Sequence, residues 1–337
     1  MNWSNNGERT SVRSFGSIEF TDDLTDVKSL SAGGYLTIRR TINGVSHEVD
    51  VRSTDGTITR TYSIDGHRRP WDDEARRWLA AELPKLVRRS GLGASSRTRQ
   101  ILAAKGADGV LAEIQLLEGD YVRRVYFTEL FTQAKLDAPA MSRSLAIAGN
   151  VIHSDYELAE ALRGAAPIAA RVESSAKAYA GVAGHLTSDY EHRRALIALL
   201  HADGAVGPVH ELAMQSAGSM RSDYEKAETL RAALASAHIG RGEPLFAAVR
   251  TMRSDYEKRR VLIEVAKLNP TRDLVQATFE AAGGMQSDYE RAEVLMALVR
   301  IAGGDTALRE AFVSAAQRIR SSFEQERVLA ALRSADR

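Results

Sequence analysis

The 337-residue chain carries 45 lysines and arginines against 44 aspartates and glutamates, a net charge of +1. That balance argues against a protein built to coat nucleic acid through clustered excess cation. With 44% hydrophobic and 26% charged residues it has the composition of a globular chain, and with 0 cysteines it excludes disulfides, thiolate metal sites and cysteine nucleophiles.

The first segment, MNWSNNGERTSVRSF, lacks the basic start and apolar core of a secretory signal, and no apolar run reaches the length of a membrane span. The expectation is a soluble chain without membrane insertion. It would be cytoplasmic if complete and extracytoplasmic if it is a piece of a membrane protein.

Residues 1–70 read as an antiparallel β-meander. Short β-rich runs (GYLTIRRTI, VSHEVDVRST, TITRTYSI) are separated by Asn43-Gly44 and Asp55-Gly56 and followed by Asp65-Gly66. Asx-Gly pairs suit type I′ hairpin turns, which need positive φ at both central residues. SVRSFGSIEFT is expected to add an earlier strand, and one sheet face, carrying Tyr35, Thr37 and Val49 or their alternates, is expected to be apolar.

Residues 71–118 read as a helical connector that covers this sheet. DDEARRWLAAELPKLVRRSG sets Trp78, Leu79, Leu83, Leu86 and Val87 at helical spacing, with Pro84 as a candidate kink and Gly91 as the stop. Two further helices are predicted in SSRTRQILAAKG and DGVLAEIQLL. Arg76, Arg77, Lys85, Arg88 and Arg89, continued by Arg97, Arg99 and Lys105, face only Glu82 within the same stretch. They form a basic patch, read either as the solvated face of amphipathic helices or as a docking patch for an acidic partner or anionic membrane surface.

Residues 119–337 repeat one pattern in 7 copies at steps of 32 to 35 residues: GDYV at Gly119, SDYE at Ser154, Ser188, Ser222, Ser254 and Ser287, and SSFE at Ser321. An apolar residue stands two positions before each copy (Leu117, Ile152, Leu186, Met220, Met252, Met285, Ile319). Another stands eight positions after it (Phe127, Leu162, Leu196, Leu230, Leu262, Leu295, Leu329). Such periodicity signals helical hairpins stacked side by side, a right-handed α-solenoid of about six to seven hairpins in a mainly α chain. Within a unit, a helix such as PLFAAVRTM, a corner and a helix such as SDYEKRRVLIEVAKL follow one another, and Asn269-Pro270-Thr271 forms a looser link to the next unit.

Each core reads as a capping box: Ser154, Ser188, Ser222, Ser254 and Ser287 accept the N3 amide, while Glu157, Glu191, Glu225, Glu257 and Glu290 reach back to the serine N–H. The aspartates (Asp120, Asp155, Asp189, Asp223, Asp255, Asp288) add charge at the positive end of each helix dipole and stand too far apart to share an ion. Tyr156, Tyr190, Tyr224, Tyr256 and Tyr289, with Tyr121 and Phe323 at the ends, either wedge between units with the hydroxyl at the rim or form a binding strip. The departures at Gly119, Val122, Ser322 and Phe323 and the closing SADR give the expectation of an array complete at its C-terminus.

Chemistry is not signalled. His47-Glu48 and His210-Glu211 lack the second histidine of a zinc peptidase, and His67, His153, His185, His192, His201 and His238 are scattered. Gly91-Leu92-Gly93 lacks the strand and third glycine of a dinucleotide loop, and no GxSxG or P-loop occurs. The expectation is no enzyme, no cofactor and no metal.

The array resembles HEAT- or tetratricopeptide-like solenoids without the Trp and Pro landmarks of the latter. The order GSIEFTDDLTDVKSLSAGGYLTIRR, TYSIDG, WLAAELPKLVRRSG and SDYE repeats resembles the region after the membrane peptidase in some bacterial zinc peptidases of the beta-lactam-sensor type. That resemblance implies a sensory or interaction module, and the peptidase activity does not carry over because the zinc motif and membrane helices are not in the sequence. The expected function is a non-enzymatic scaffold or regulatory module binding a protein or peptide, with a self-assembling homo-oligomer as the first alternative and a ligand-sensing domain as the second.

Overall fold

The computed structural model describes residues 1–5, 7–235, 242–268 and 270–335. His238, Asn269 and the final Asp336 and Arg337 of the expected features lie outside the described residues. The chain opens with β1 (Asn2–Asn5), β2 (Glu8–Phe15), β3 (Ile18–Phe20), β4 (Val27–Leu30), β5 (Tyr35–Ile42), β6 (Val45–Thr54), β7 (Thr57–Ile64) and β8 (His67–Arg69). Six of these form one antiparallel sheet in the order β1-β2-β5-β6-β7-β8, and β3 pairs with β4 apart from it.

The hairpins are set by their turns. Asn43, Asp55 and Asp65 have φ of 50°, 49° and 51°, and Gly44, Gly56 and Gly66 of 84°, 79° and 79°, the two successive positive values of a type I′ turn. SVRSFGSIEFT is not one strand. Gly16, at φ 80°, breaks it, so that β2 joins the large sheet and β3 leaves for the small one. Leu36, Ile38, Val49 and Val51 are buried on the inner face. Tyr35 and Thr37 alternate to the other face, where Thr37 donates to Asp50 and Arg39 pairs with Glu48. The apolar side is therefore the alternate set, plus Val49.

α1 (Asp73–Ser90) covers that face with Leu79, Leu83, Leu86 and Val87. Asp72 caps its start by accepting from Glu74 and Ala75, and Gly91 at φ 69° ends it. Pro84 sits within the helix without ending it. Each fully buried leucine or valine is worth about 1.5–3 kcal/mol. The two following predicted helices are α2 (Ala94–Leu116), broken where Gly106 takes φ 65° and ψ −166°. Then comes α3 (Asp120–Gln133), which packs on α2 and α1.

The remaining helices are α4 (Ala138–Val151), α5 (Asp155–Ala169), α6 (Glu173–Ala183), α7 (Asp189–Leu200), α8 (Pro208–Ala217), α9 (Asp223–Ala235), α10 (Glu243–Arg250) and α11 (Asp255–Val265). They continue with α12 (Arg272–Gly283), α13 (Asp288–Gly303), α14 (Thr306–Ala316) and α15 (Ser322–Ser334). The chain divides into two compact units: Met1–Leu136 with Asn150–Glu157, and Asp137–Gly149 with Leu158–Arg337. The copy at Gly119 thus belongs to the unit that holds the sheet.

In the second unit the helices pack on their second neighbours, α6–α8–α10–α12–α14 in one layer and α7–α9–α11–α13–α15 in the other. This is the solenoid pattern of a mainly α array. Leu186, Met220, Met252, Met285 and Ile319 before the corners and Leu196, Leu230, Leu262 and Leu295 after them are buried, while Leu329 is partly buried. Many of the buried residues are alanines (Ala183, Ala195, Ala213, Ala217, Ala227, Ala233), whose small side chains let helices lie close at native packing density.

Candidate functional site

Four corners of the second unit, at Ser222, Ser254, Ser287 and Ser321, are each held by a device of two residues from two repeats. The hydroxyls of Ser188, Ser222, Ser254, Ser287 and Ser321 accept the amides of Glu191, Glu225, Glu257, Glu290 and Glu324 at 3.3–3.4 Å, as an N-cap requires. The reciprocal half of the capping box is different. The N–H of Ser222 donates to Asp189 Oδ2 at 2.6 Å, that of Ser254 to Asp223 at 2.6 Å, that of Ser287 to Asp255 at 2.7 Å and that of Ser321 to Asp288 at 2.9 Å. The preceding amides of Arg221, Arg253, Gln286 and Arg320 share the same oxygens. The aspartates are inter-repeat clamps, and the glutamates are released from capping.

Burial would raise the Asp255 carboxyl, but the amides of Ser287 and Gln286 and the Lys258 ammonium outweigh it and hold it below the usual carboxylate range. Asp288 is likewise held low, against burial, by the Arg320 and Ser321 amides.

From the repeat at Ser188 onward, a polar side chain stands four residues after each cap serine (His192, Lys226, Lys258, Arg291, Gln325), and in the last two repeats it meets carbonyls left open at helix C-termini. Arg291 donates to the carbonyls of Ala282, Met285 and Arg318, and Gln325 to those of Ala316 and Ile319. Lys226, almost fully buried, donates to Thr251 Oγ1 at 2.5 Å. His192 takes this place beside Ser216 Oγ at 2.8 Å, and burial pushes its pKa down to about 4 although Asp189 opposes the shift.

The freed glutamates pair with arginines in an alternating pattern. Successive repeats carry Ala159-Glu160, Arg193-Arg194, Ala227-Glu228, Arg259-Arg260, Ala292-Glu293 and Glu326-Arg327 at one register. At one kind of seam the second arginine reaches back: Arg194 to Glu160 at 2.6 Å, Arg260 to Glu228 at 2.5 Å and Arg327 to Glu293 at 2.7 Å. At the other kind the first arginine reaches forward, Arg193 to Glu225 and Arg259 to Glu290. Arg259 Nε lies 2.5 Å from Glu290 Oε2 without an aligned hydrogen bond, so that contact is Coulombic.

On this scaffold Tyr190, Tyr224, Tyr256 and Tyr289 are 50–51% exposed and Phe323 is 73% exposed. About half of each tyrosine is therefore covered and half is open to solvent. Arginines lie over the rings: Arg193 and Arg194 stand 5.3 and 5.8 Å from the Tyr190 centroid, and Arg259 stands 5.1 Å from that of Tyr256. Arg260 lies between Tyr224 and Tyr256, 5.8 and 5.9 Å from their centroids. Each such contact is worth about 0.5–1 kcal/mol at an exposed site. Because Arg194 and Arg260 are also fixed by Glu191 and Glu257 at 2.7 and 2.8 Å, the rings of Tyr190, Tyr224 and Tyr256 are held in place.

In the first unit the same motif recurs. Asp120 Oδ2 accepts from His153 and Ser154, Ser154 caps Glu157, Arg124 pairs with Glu157, and Tyr121 and Tyr156 are exposed. The basic patch is largely answered: Arg76 meets Asp73, Lys85 meets Glu82, Arg89 meets Glu118, and Arg77 donates to the Asp73 carbonyl. Arg88 Nε is buried without a partner. Arg40, also paired with Glu8, reaches Glu82 from β5.

The sequence reading missed the clamp role of the aspartates and the alternation at the arginine register. The second was visible in the aligned copies. Among the described residues there is no group of three His, Asp or Glu side chains arranged to hold a metal, and no helix long and apolar enough to cross a membrane. Comparison with protein-family models, curated proteins and solved structures returned no match.

Proposed function

We propose that the chain is a non-enzymatic interaction scaffold whose helical array binds an extended polypeptide along the strip Tyr190, Tyr224, Tyr256 and Tyr289. One observation carries this reading. Four tyrosines at the same register keep half their surface in solvent, while arginines held by glutamates lie over three of the rings. Tyrosine offers a large contact area for little entropy loss, and a fixed ring binds at lower cost than a mobile one.

The helical array is HEAT- or tetratricopeptide-like in this reading. Its sequence resemblance to the region behind the membrane peptidase of beta-lactam-sensor-type zinc peptidases supports a sensory setting for the scaffold.

The test is selection of unstructured peptides from a random library on the purified chain, followed by fluorescence anisotropy with the triple variant Y190A/Y224A/Y256A. The expected outcome is a loss of affinity of about tenfold or more per dominant tyrosine, with the melting temperature nearly unchanged. Peptides that bind the triple variant as well as the parent would overturn the reading. A concentration-dependent mass in light scattering, removed by the same variant, would replace it with homotypic assembly through the strip.

A further inference from the structure

The acids and bases around the tyrosine strip differ in where they point. Asp255, Asp288, Glu191, Glu257, Glu225 and Glu290 have side chains only 11–20% exposed, and each is occupied by amides, arginines or both. Arg221 and Arg253 are exposed. Their backbone amides are held by Asp189 and Asp223, yet among the described residues their guanidinium groups have no ion pair or hydrogen bond. Arg320, also exposed, reaches the Gln286 carbonyl at 3.4 Å and helps hold the Asp288 carboxyl low. Each of these arginines precedes its ring by three positions: Arg221 before Tyr224, Arg253 before Tyr256 and Arg320 before Phe323. A ligand on the strip therefore meets half-exposed tyrosine rings and the guanidinium groups of Arg221 and Arg253, while the carboxylates nearby are the more buried groups.

Spacing adds a second constraint. Neighbouring helices of a layer lie about 8–10 Å apart. A polyproline II chain advances about 9.3 Å per turn of three residues, without internal hydrogen bonds and at low entropic cost. Every third residue of such a chain then meets the next repeat. A β-strand, with its two-residue period, turns alternate side chains away.

We propose that the strip takes an acidic peptide in the polyproline II conformation, with carboxylates three residues apart meeting Arg221 and Arg253 and prolines lying on Tyr190, Tyr224 and Tyr256. This rests on the interaction-scaffold reading and specifies its partner. Gln286 at the next corner tolerates a neutral residue, and Arg320 takes a carboxylate again one turn later.

The probe is a fluorescein-labelled peptide of repeated Glu-Pro-Pro, measured by anisotropy against repeated Lys-Pro-Pro and against a peptide of the same composition with its glutamates gathered in one block. The expected result is binding of Glu-Pro-Pro alone, weakened about tenfold or more in the R221E/R253E variant and retained in R221K/R253K. Thermal melts of both variants should match the parent, because only free side chains change.

Equal binding of Lys-Pro-Pro, or of the blocked peptide, overturns the proposal. So does a preference for a single-stranded oligothymidine or for anionic vesicles over Glu-Pro-Pro, since bases also stack on aromatic strips and phosphates also meet arginine. Library-selected peptides that need the tyrosines but not Arg221 and Arg253 would leave the scaffold reading standing and remove the acidic partner. Selected peptides indifferent to the tyrosines would remove both.

Discussion

The sheet and the helical array keep their register by opposite means. In the sheet each hairpin is set locally, by an Asx-Gly turn whose two residues take positive φ, and the strands follow from it. In the array register is set at a distance: an aspartate of one repeat holds two amides 30–33 residues further along the chain. Damage to a turn should therefore stay in its hairpin, whereas damage to a clamp should spread to the repeats on either side, as expected of a stack stabilised by nearest-neighbour interfaces.

The most severe test is Asp255→Ala. It leaves the amides of Gln286 and Ser287 and the Lys258 ammonium without their shared partner, and should cost about 3 kcal/mol. Hydrogen exchange should accelerate in α11 to α13 together. A loss confined to the Ser287 corner would break the contrast.

Acid should act on the array in two stages, measurable by chemical denaturation across pH. The His192 pKa is depressed to about 4 in the fold, below about 6.5 in an unfolded chain. Between those values the unfolded state binds the extra proton, so stability is full above pH 6.5 and falls by up to about 3 kcal/mol as pH drops to 4. The lowered carboxyls of Asp255 and Asp288 then lose their contribution as pH falls below the ordinary carboxylate value and through their folded pKa. His192→Gln should remove the first stage and leave the second.

On the sheet side, Gly44→Ala places a β-carbon at φ 84° with open space around it. The cost should be about 1 kcal/mol of backbone strain, read as a small drop in melting temperature with exchange altered only in β5 and β6. The smallest effect expected is the coupling of Arg260 with Glu228 in a double-mutant cycle, about 0.5 kcal/mol for a partly exposed pair. A coupling several times larger would make the ion pairs, not the aspartate clamps, the determinant of register.

Much of this organisation was legible because it depends on period. Met220, Met252 and Met285 before the corners and Leu230, Leu262 and Leu295 after them repeat in sequence as they repeat in the core. Serine before a helix caps it by local geometry alone. What was not legible depends on which of two nearby acids reaches a given amide. Asp223 and Glu257 both lie near the Ser254 N–H, and only the stacking of repeats favours Asp223. The exposed rings were equally undetermined, since Tyr224 and Tyr256 would read the same in a buried seam as beside Arg260. In the sheet, alternation alone left open whether Thr37 or Ile38 faced α1.

The two kinds of seam also give the array a parity. Removing the hairpin that carries Glu228 would bring Arg194 against Arg260, and removing the one that carries Arg260 would bring Glu228 against Glu293. Removing both would restore an arginine–glutamate seam. The period of the charge pattern is therefore the pair of hairpins, and this array shortens without setting like charges together only by even steps.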